Sequence, residues 1–219
     1  MFEKLGYVTA LTLAITGSSG VWAENVIEEV VVVGQSTIFA NNQTDEAALA
    51  TQSPITSALA IIDNLPGVSV QEGDTYGFDD WSTTVSIRGF QLSLSDQQIG
   101  TTIDGIANGN SGYGGGAKAN RYIDTGNLAG AEVSQGTGDI ASRSLEALGG
   151  TLNFRTIGTR QEAGFNASFT SGEFDAERYF VRYNTGSLFG GETYAWISAS
   201  HTEATDWING AAENERDHF

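Results

Sequence analysis

The last part of the chain alternates between apolar and polar side chains. Three segments of roughly nine residues show the pattern. Their apolar positions are Ala163, Phe165, Ala167 and Phe169, then Tyr179, Val181 and Tyr183, then Ala195, Ile197 and Ala199. A period of two is the side-chain period of a β-strand, so three antiparallel strands are predicted. Aromatic residues near the segment ends are typical of transmembrane β-barrel strands, but a soluble antiparallel meander shows the same alternation.

The middle of the chain mixes one helix pattern with several strand patterns. Ser53-Pro54 suits the start of a helix, and Leu65-Pro66-Gly67 suits its end. The buried face of this helix is expected to hold Ile55, Ala58, Leu59 and Ile62. Strand patterns follow at 68–70, 85–87 and 101–103, and the tight-turn pair Asp104-Gly105 comes directly after the last. Short strands with short helices predict a small α+β domain that ends near Arg160.

The N-terminus has the pattern of a secretory signal peptide. An apolar stretch, 5–15, follows Lys4 and is too short to span a bilayer, and small residues flank a cleavage point after Ala23. The alternative is a buried or amphipathic N-terminal helix. Next, residues 27–34 contain four consecutive valines, which favour an extended strand able to pair with another protein's sheet, or a first strand of this chain's own core. A polar linker is expected at 36–51.

Composition and charge exclude several classes of function. The 219 residues carry a formal net charge of −17 with ten Lys and Arg, which argues against nucleic acid as a partner. The absence of Cys excludes disulfides, thiolate metal sites and cysteine nucleophiles. With two His and no constellation of acid, base and nucleophile, neither an enzyme nor a metal site is predicted.

Five short motifs occur in a fixed order behind the signal-peptide pattern. They are 28–33, Leu65-Pro66-Gly67-Val68, Ile87-Arg88-Gly89-Phe90, Ile103-Asp104-Gly105-Ile106 and the segment 147–156, ALGGTLNFRT. Together they resemble the TonB-dependent outer-membrane receptors: the box that pairs with the energy-transducing protein, then the LPGV, IRG and VDGV-type motifs, then the ALGGxINxxT segment that closes the plug. The resemblance covers essentially the whole mature chain.

The resemblance implies four regions along the chain. They are a signal peptide at 1–23, the TonB box and linker at 24–50, the plug domain at 51–160, and the first three strands of an incomplete barrel at 161–219. The implied fold class is an α+β plug domain, a small mixed β-sheet with short helices, followed by the first antiparallel strands of a transmembrane β-barrel. Because membrane barrels need at least about eight strands and 206–219 resembles a loop, a truncated N-terminal part of a receptor is expected.

The implied function is energy-coupled import of a scarce nutrient across the outer membrane. A ferric siderophore is the leading ligand, and cobalamin, haem and oligosaccharides are alternatives; no resident cofactor is implied. The implied partners are a TonB-type inner-membrane energy-transducing complex, a small-molecule nutrient ligand and outer-membrane lipid. A soluble periplasmic binding or adhesive module is the competing class.

The resemblance also assigns residues to roles. The TonB-coupling residues would be Glu28, Glu29, Val30, Val31, Val32 and Val33. Aromatic and polar side chains of two plug loops are the expected ligand-binding residues, namely Tyr76, Phe78, Asp79, Trp81, Asn108, Asn110 and Tyr113. Arg88 and Arg121 are expected to latch the plug to the barrel. One departure matters: Gln135 stands where the family usually has an Arg that pairs with barrel carboxylates.

Overall fold

The computed structural model describes residues 41–44, 46–108, 118–136, 142–144, 147–191, 193–208 and 213–219. The signal peptide, the TonB box at 28–33, Asn110 and Tyr113 lie outside these residues, so the predictions made for them stay predictions.

A mixed five-stranded sheet forms one part of the plug. Its strands are β1 (Asn41–Thr44), β5 (Gly100–Ile103), β6 (Ile106–Asn108), β7 (Leu128–Gln135) and β8 (Gly150–Thr156), in the order β1-β7-β8-β5-β6. β5 and β8 run parallel and the other neighbours are antiparallel. β1 and the short helix α1 (Glu46–Ala50) fall in the segment expected as linker. The polar sequence of β1 carries no apolar alternation from which a strand could be predicted.

A second plug sheet has three antiparallel strands, β2 (Val68–Gln71), β3 (Thr84–Ile87) and β4 (Phe90–Leu92). Arg88 and Gly89 connect β3 to β4 with φ of 50° and 92°, and Asp104 and Gly105 connect β5 to β6 with φ of 49° and 75°. Positive φ at both central residues is typical of two-residue hairpin turns. The tight turn predicted at Asp104-Gly105 is therefore present, and the IRG motif makes a second one.

The segment predicted as one helix from Ser53 to Gly67 does not form a regular α-helix. It consists of turns and one 3₁₀ helix, Ala60–Ile62, because the Ser57 hydroxyl accepts hydrogen bonds from the amides of Leu59 and Ala60 and so interrupts a regular helix. The expected buried face is nevertheless right: Ile55, Ala58, Leu59 and Ile62 are all buried. The main core joins this segment to both plug sheets through side chains such as Val85, Ile87, Leu152 and Phe154.

Four antiparallel strands follow the plug. They are β9 (Ala163–Ser171), β10 (Glu177–Leu188), β11 (Thr193–Thr205) and β12 (Glu213–His218), paired in chain order. The first three match the predicted alternation. The fourth corrects the expectation of three strands followed by a loop: in Glu213–His218 all six residues are polar, so the apolar period that revealed the other strands is missing.

The two faces of this sheet differ in chemistry. On one face, aromatic and aliphatic side chains are 40–69% exposed: Phe165, Phe169, Tyr179, Val181, Tyr183 and Ile197. We call this the outward face. On the other, the inward face, Arg178, Phe180, Arg182 and Asn184 of β10 are buried against the plug. Apolar residues outward and polar residues inward is the arrangement of a transmembrane β-barrel wall. No described helix is long and apolar enough to cross a membrane.

Candidate functional site

The plug is fastened to the strands at one carboxylate. Asp124 lies in a plug loop, where its Oδ1 caps the amide of Gly126 at 2.7 Å. Arg178 of β10 donates to Oδ1 at 2.5 Å, Ser200 of β11 donates to Oδ2 at 2.8 Å, and His218 Nδ1 of β12 lies 3.7 Å from Oδ2. Arg178 and Asp124 are 3% and 6% exposed, so this is a buried ion pair. Three successive strands thus converge on one plug residue.

A second fastening point lies further along β10. The Arg182 guanidinium donates to the carbonyl oxygens of Ile157 and Gly158 at 2.8 and 3.1 Å, which belong to the chain leaving the plug. It also sits 4.2 Å from the ring centroid of Trp196 on β11. Asn127 of the plug donates to Ser198 of β11 at 2.7 Å. These contacts align the plug with the middle of the strands.

The loop 74–81, which carries most of the expected ligand residues, is held in shape by Asp74. Its Oδ1 accepts from the amides of Tyr76 and Phe78 at 2.9 and 3.0 Å, and its Oδ2 accepts from the amide of Asp79 at 2.8 Å. An aspartate that accepts hydrogen bonds from the following backbone stabilises a tight loop. The Asp74 carboxylate is therefore directed to this loop's own backbone.

The same loop is tied to the strands. The Tyr76 hydroxyl donates to the Glu173 carbonyl oxygen at 3.0 Å in the β9–β10 connection. Arg216 of β12 donates to the Gly77 carbonyl oxygen at 2.7 Å, and its guanidinium lies 4.9 Å from the Phe78 ring centroid. Tyr76 and Phe78 also pack on a small core of Ile55, Ala176 and Ala204. The structure therefore gives these two predicted ligand residues contacts at the plug–strand interface.

Two other predicted ligand residues are open to solvent. Trp81 is 64% exposed and Asp79 is exposed beside it. The Ser82 hydroxyl donates to Asp79 at 2.8 Å, which lowers the pKa of that carboxyl and keeps it charged. Below them Lys118 is almost fully buried and donates to the Asp80 carbonyl oxygen, and burial lowers the pKa of its ammonium. Asn108 lies apart on β6, and its Nδ2 is buried without a hydrogen-bond partner among the described residues.

The arginines expected as latches lie elsewhere. Arg121 forms an ion pair with Asp80 at 2.7 Å, which joins two plug loops, and its side chain is 49% exposed. Arg88 is exposed in the β3–β4 turn, and the structure gives its side chain no ion pair among the described residues. A latch role for either residue stays a prediction. The contacts that the structure does show have the opposite charge arrangement, with arginines on the strands and the carboxylate on the plug.

Gln135 fills the position of the missing family arginine. It is 4% exposed at the end of β7, and its side-chain amide donates to the Pro66 carbonyl oxygen in the LPGV element. A neutral side chain there connects two parts of the plug and needs no barrel carboxylate. The departure in sequence thus has a local structural role.

Sequence reasoning missed Asp124, Arg178, Arg182 and Arg216. The signal for two of them was present, because Arg178 and Arg182 alternate with Tyr179, Val181 and Tyr183 along one strand. If the aromatic positions face lipid, charged residues of the opposite phase must face the interior, where a buried cation requires a partner. Which plug residue supplies that partner depends on tertiary packing.

Contact with the strands is uneven. A cavity of about 380 Å³ lies between the plug and the strands β9 and β10, and its lining includes Leu49, Pro54, Ile61, Ala167 and Phe180. The fastening contacts of the plug are thus made with β10, β11 and β12, whereas open space lies between the plug and β9.

Comparisons with known proteins agree with this architecture. The family model of the TonB-dependent Receptor Plug Domain matches residues 34–151, more than half of the chain. Its range begins before the predicted plug and includes β1. No curated protein matches the sequence significantly.

Several solved structures share the fold. The siderophore receptor PiuA from Acinetobacter baumannii is 16% identical with a TM-score of 0.57, and the alignment covers 81% of this chain and 22% of that one. The ferric yersiniabactin uptake receptor FyuA from Yersinia pestis is 15% identical with a TM-score of 0.52, covering 76% and 24%. The copper transporter OprC is 16% identical with a TM-score of 0.56, covering 80% and 26%. The chain thus spans about a quarter of the length of these relatives.

The resemblance predicted from five motifs is confirmed by the family model, and the fold class is confirmed by the structural matches. A plug domain followed by antiparallel strands is the order predicted from the motifs. This chain belongs to the TonB-dependent receptor plug-domain family.

Proposed function

We propose that this chain is the plug and the first wall strands of an energy-coupled outer-membrane receptor that imports a scarce nutrient. In this proposal the plug closes the pore, and the N-terminal segment couples the plug to a TonB-type complex of the inner membrane. The single observation that carries the proposal is the arrangement around the strand sheet. A buried ion pair, Arg178–Asp124, connects the plug to the inward face of this sheet, while the outward face exposes apolar side chains. Membership of a receptor family also agrees with the expectation that the chain is not an enzyme.

Outer-membrane lipid is the proposed partner of the outward face. Phe169, Tyr179 and Ile197 expose apolar surface in contiguous rows across three strands. A soluble binding or adhesive module would leave this surface in water, at a cost of roughly 25 cal/mol per Å². The outward face therefore favours a membrane wall over the soluble alternative.

The ligand is proposed to be a ferric siderophore, with cobalamin, haem and oligosaccharides as alternatives. One structural relative is named as a siderophore receptor, a second as a ferric yersiniabactin uptake receptor, and a third as a copper transporter. Exposed Trp81 beside the charged Asp79 supplies an aromatic surface next to a carboxylate at the proposed ligand loop. Growth of a deletion strain on each nutrient as the limiting source would identify which class is imported.

Membrane fractionation tests the proposed location. The product of the intact gene should appear in the outer membrane, resistant to extraction by salt and alkali, because the outward face is buried in lipid. A periplasmic protein of known location, followed in the same fractions, is the control. Recovery of the gene product with the soluble periplasmic fraction would contradict the membrane proposal and support the soluble module.

Val31→Pro tests the proposed coupling segment. Proline removes a backbone N–H and so breaks strand pairing with the energy-transducing partner, and we expect uptake of the nutrient to be lost while surface binding is kept. The measurement compares uptake and binding of the radiolabelled nutrient by whole cells. Ser36→Pro, placed beyond the segment, is the matched control and should leave uptake unchanged. Uptake retained by Val31→Pro would disprove coupling through residues 28–33.

A further inference from the structure

A histidine on the outward face lies among three carboxylates at the end of the strand sheet. His201 Nδ1 is 2.9 Å from Asp217 Oδ1 and 3.6 Å from Glu215 Oε1. Its other ring nitrogen, Nε2, is 3.5 Å from Glu203 Oε2. The ligand atoms of His201, Glu215 and Asp217 all lie within 4.8 Å of one another. The register of β11 and β12 creates this group, because it pairs His201 with Asp217 and Glu203 with Glu215.

Both ring nitrogens face carboxylates: Nε2 faces Glu203, and Nδ1 faces Asp217 and Glu215. Nδ1 lies within hydrogen-bond distance of Asp217 and donates its proton there. When that proton is released and Glu203 accepts the proton of Nε2, the lone pair of Nδ1 points toward Asp217 and Glu215. A carboxylate on the far nitrogen is the usual device that orients a metal-binding histidine and fixes its tautomer. The lone pairs of one nitrogen and two carboxylates then converge, and a metal ion can take the place of the proton between them.

The neighbouring carboxylates also favour a bound cation. Glu177, Glu203 and Glu215 lie directly opposite one another on three adjacent strands. Like charges directly opposite across strands destabilise a sheet. The imidazole can neutralise only one of these carboxylates by taking up a proton, whereas a divalent ion would neutralise two.

We propose that His201, Glu215 and Asp217 form a binding site for a divalent transition-metal ion on the outward face, with Glu203 holding the histidine in its metal-binding tautomer. One nitrogen and two carboxylate oxygens are a donor set that Zn²⁺ accepts, whereas Mg²⁺ and Ca²⁺ prefer all-oxygen sites. The site lies on the side of the sheet away from Asp124 and the plug. It is therefore separate from the proposed import path.

Binding of Zn²⁺ by the full chain in detergent tests this proposal. We expect one ion per chain, measured by competition with a chromophoric zinc indicator, and no displacement by excess Mg²⁺. His201→Gln and Asp217→Asn should weaken binding at least about tenfold, and Glu203→Gln about 10–100-fold through loss of orientation. Glu213→Gln is the matched control, since Glu213 is an exposed carboxylate of the same strand outside the group.

A spectroscopic measurement makes the test independent of the variants. The chain contains two histidines, so its NMR spectrum has two sets of imidazole ring signals, and His201→Gln identifies which set belongs to His201. Zn²⁺ should shift the His201 signals and leave those of His218 unchanged. The proposal is overturned if Zn²⁺ leaves the His201 signals in place, or if the affinity of His201→Gln and Asp217→Asn equals that of Glu213→Gln.

Discussion

Arg178→Ala is expected to lower the free energy of unfolding by about 3–5 kcal/mol, because it leaves the buried carboxylate of Asp124 without its cation. Ser200 and the Gly126 amide would still donate to that carboxylate, but neither carries a charge. In the native protein both partners are almost fully buried, so water cannot compensate for the loss. Loss of the pair also removes one of the two fastening points between the plug and β10, and the Arg182 contacts remain.

Urea unfolding of the purified chain, followed by tryptophan fluorescence, measures this cost. Arg121→Ala is the matched control: its ion pair with Asp80 is half-exposed, and it should contribute at most about 1 kcal/mol. The double variant Asp124→Asn with Arg178→Met removes both charges and should recover much of the lost stability. Equal costs for Arg178→Ala and Arg121→Ala would show that the buried pair does not fasten the plug.

Gly150→Ala is expected to cost about 3 kcal/mol or more, because both the backbone conformation and the available space at this position exclude a side chain. Gly150 has φ of 127°, and a Cβ atom there would lie 2.0 Å from the backbone carbonyl oxygen of Ser134. The pairing of Gln135 with Gly150 places these backbones side by side at the end of β7 and β8. Relief of the clash therefore requires the two strands to separate, with loss of hydrogen bonds at the centre of the plug sheet.

Gly158→Ala is the control for this substitution. A Cβ atom at Gly158 would have no neighbour within 4 Å, and its φ is not positive, so its effect should stay within about 0.5 kcal/mol. Thermal unfolding of both variants, with hydrogen exchange of the β7 and β8 amides, gives the comparison. If the Gly150→Ala and Gly158→Ala proteins unfold at the same temperature, the close approach of β7 and β8 at Gly150 does not contribute to the stability of the plug.

The features predicted correctly from sequence are those set by short-range periodicity. Alternation at Tyr179, Val181 and Tyr183 predicted β10 and its two faces, and Asp104-Gly105 predicted a hairpin. The helix predicted after Ser53 was wrong because one hydroxyl, that of Ser57, competes for backbone amides, an interaction that helical periodicity does not reveal. β12 was missed because its side chains serve the Asp124 contacts and the carboxylate group around His201, and not an apolar band.

The candidate site was predictable in kind but not in detail. A charged latch between plug and barrel was expected at Arg88 and Arg121. The buried pair in the structure instead joins Asp124 to Arg178, which are 54 positions apart, and no local pattern connects them. Tyr76 and Phe78 were expected at a ligand surface from their residue types, and the structure adds their contacts with Glu173 and Arg216, which residue type alone does not show. Residues 28–33 lie outside the described part of the chain, so the coupling segment depends on sequence resemblance and on the Val31→Pro experiment.

The uneven contact between plug and wall has a mechanical consequence. Among the described strands, the plug is fastened to β10, β11 and β12 through Asp124, while a cavity of about 380 Å³ lies next to β9 and the adjoining part of β10. A rigid body that is attached along one line, with space on one side of that line, rotates about the line when a force acts at a distance from it. If the proposed coupling pulls on the plug, we therefore expect the plug to rotate about the row of fastening residues, so that it separates from β9 first. In the proposed receptor, such a rotation would open a crevice along β9 before the contacts at Asp124 break.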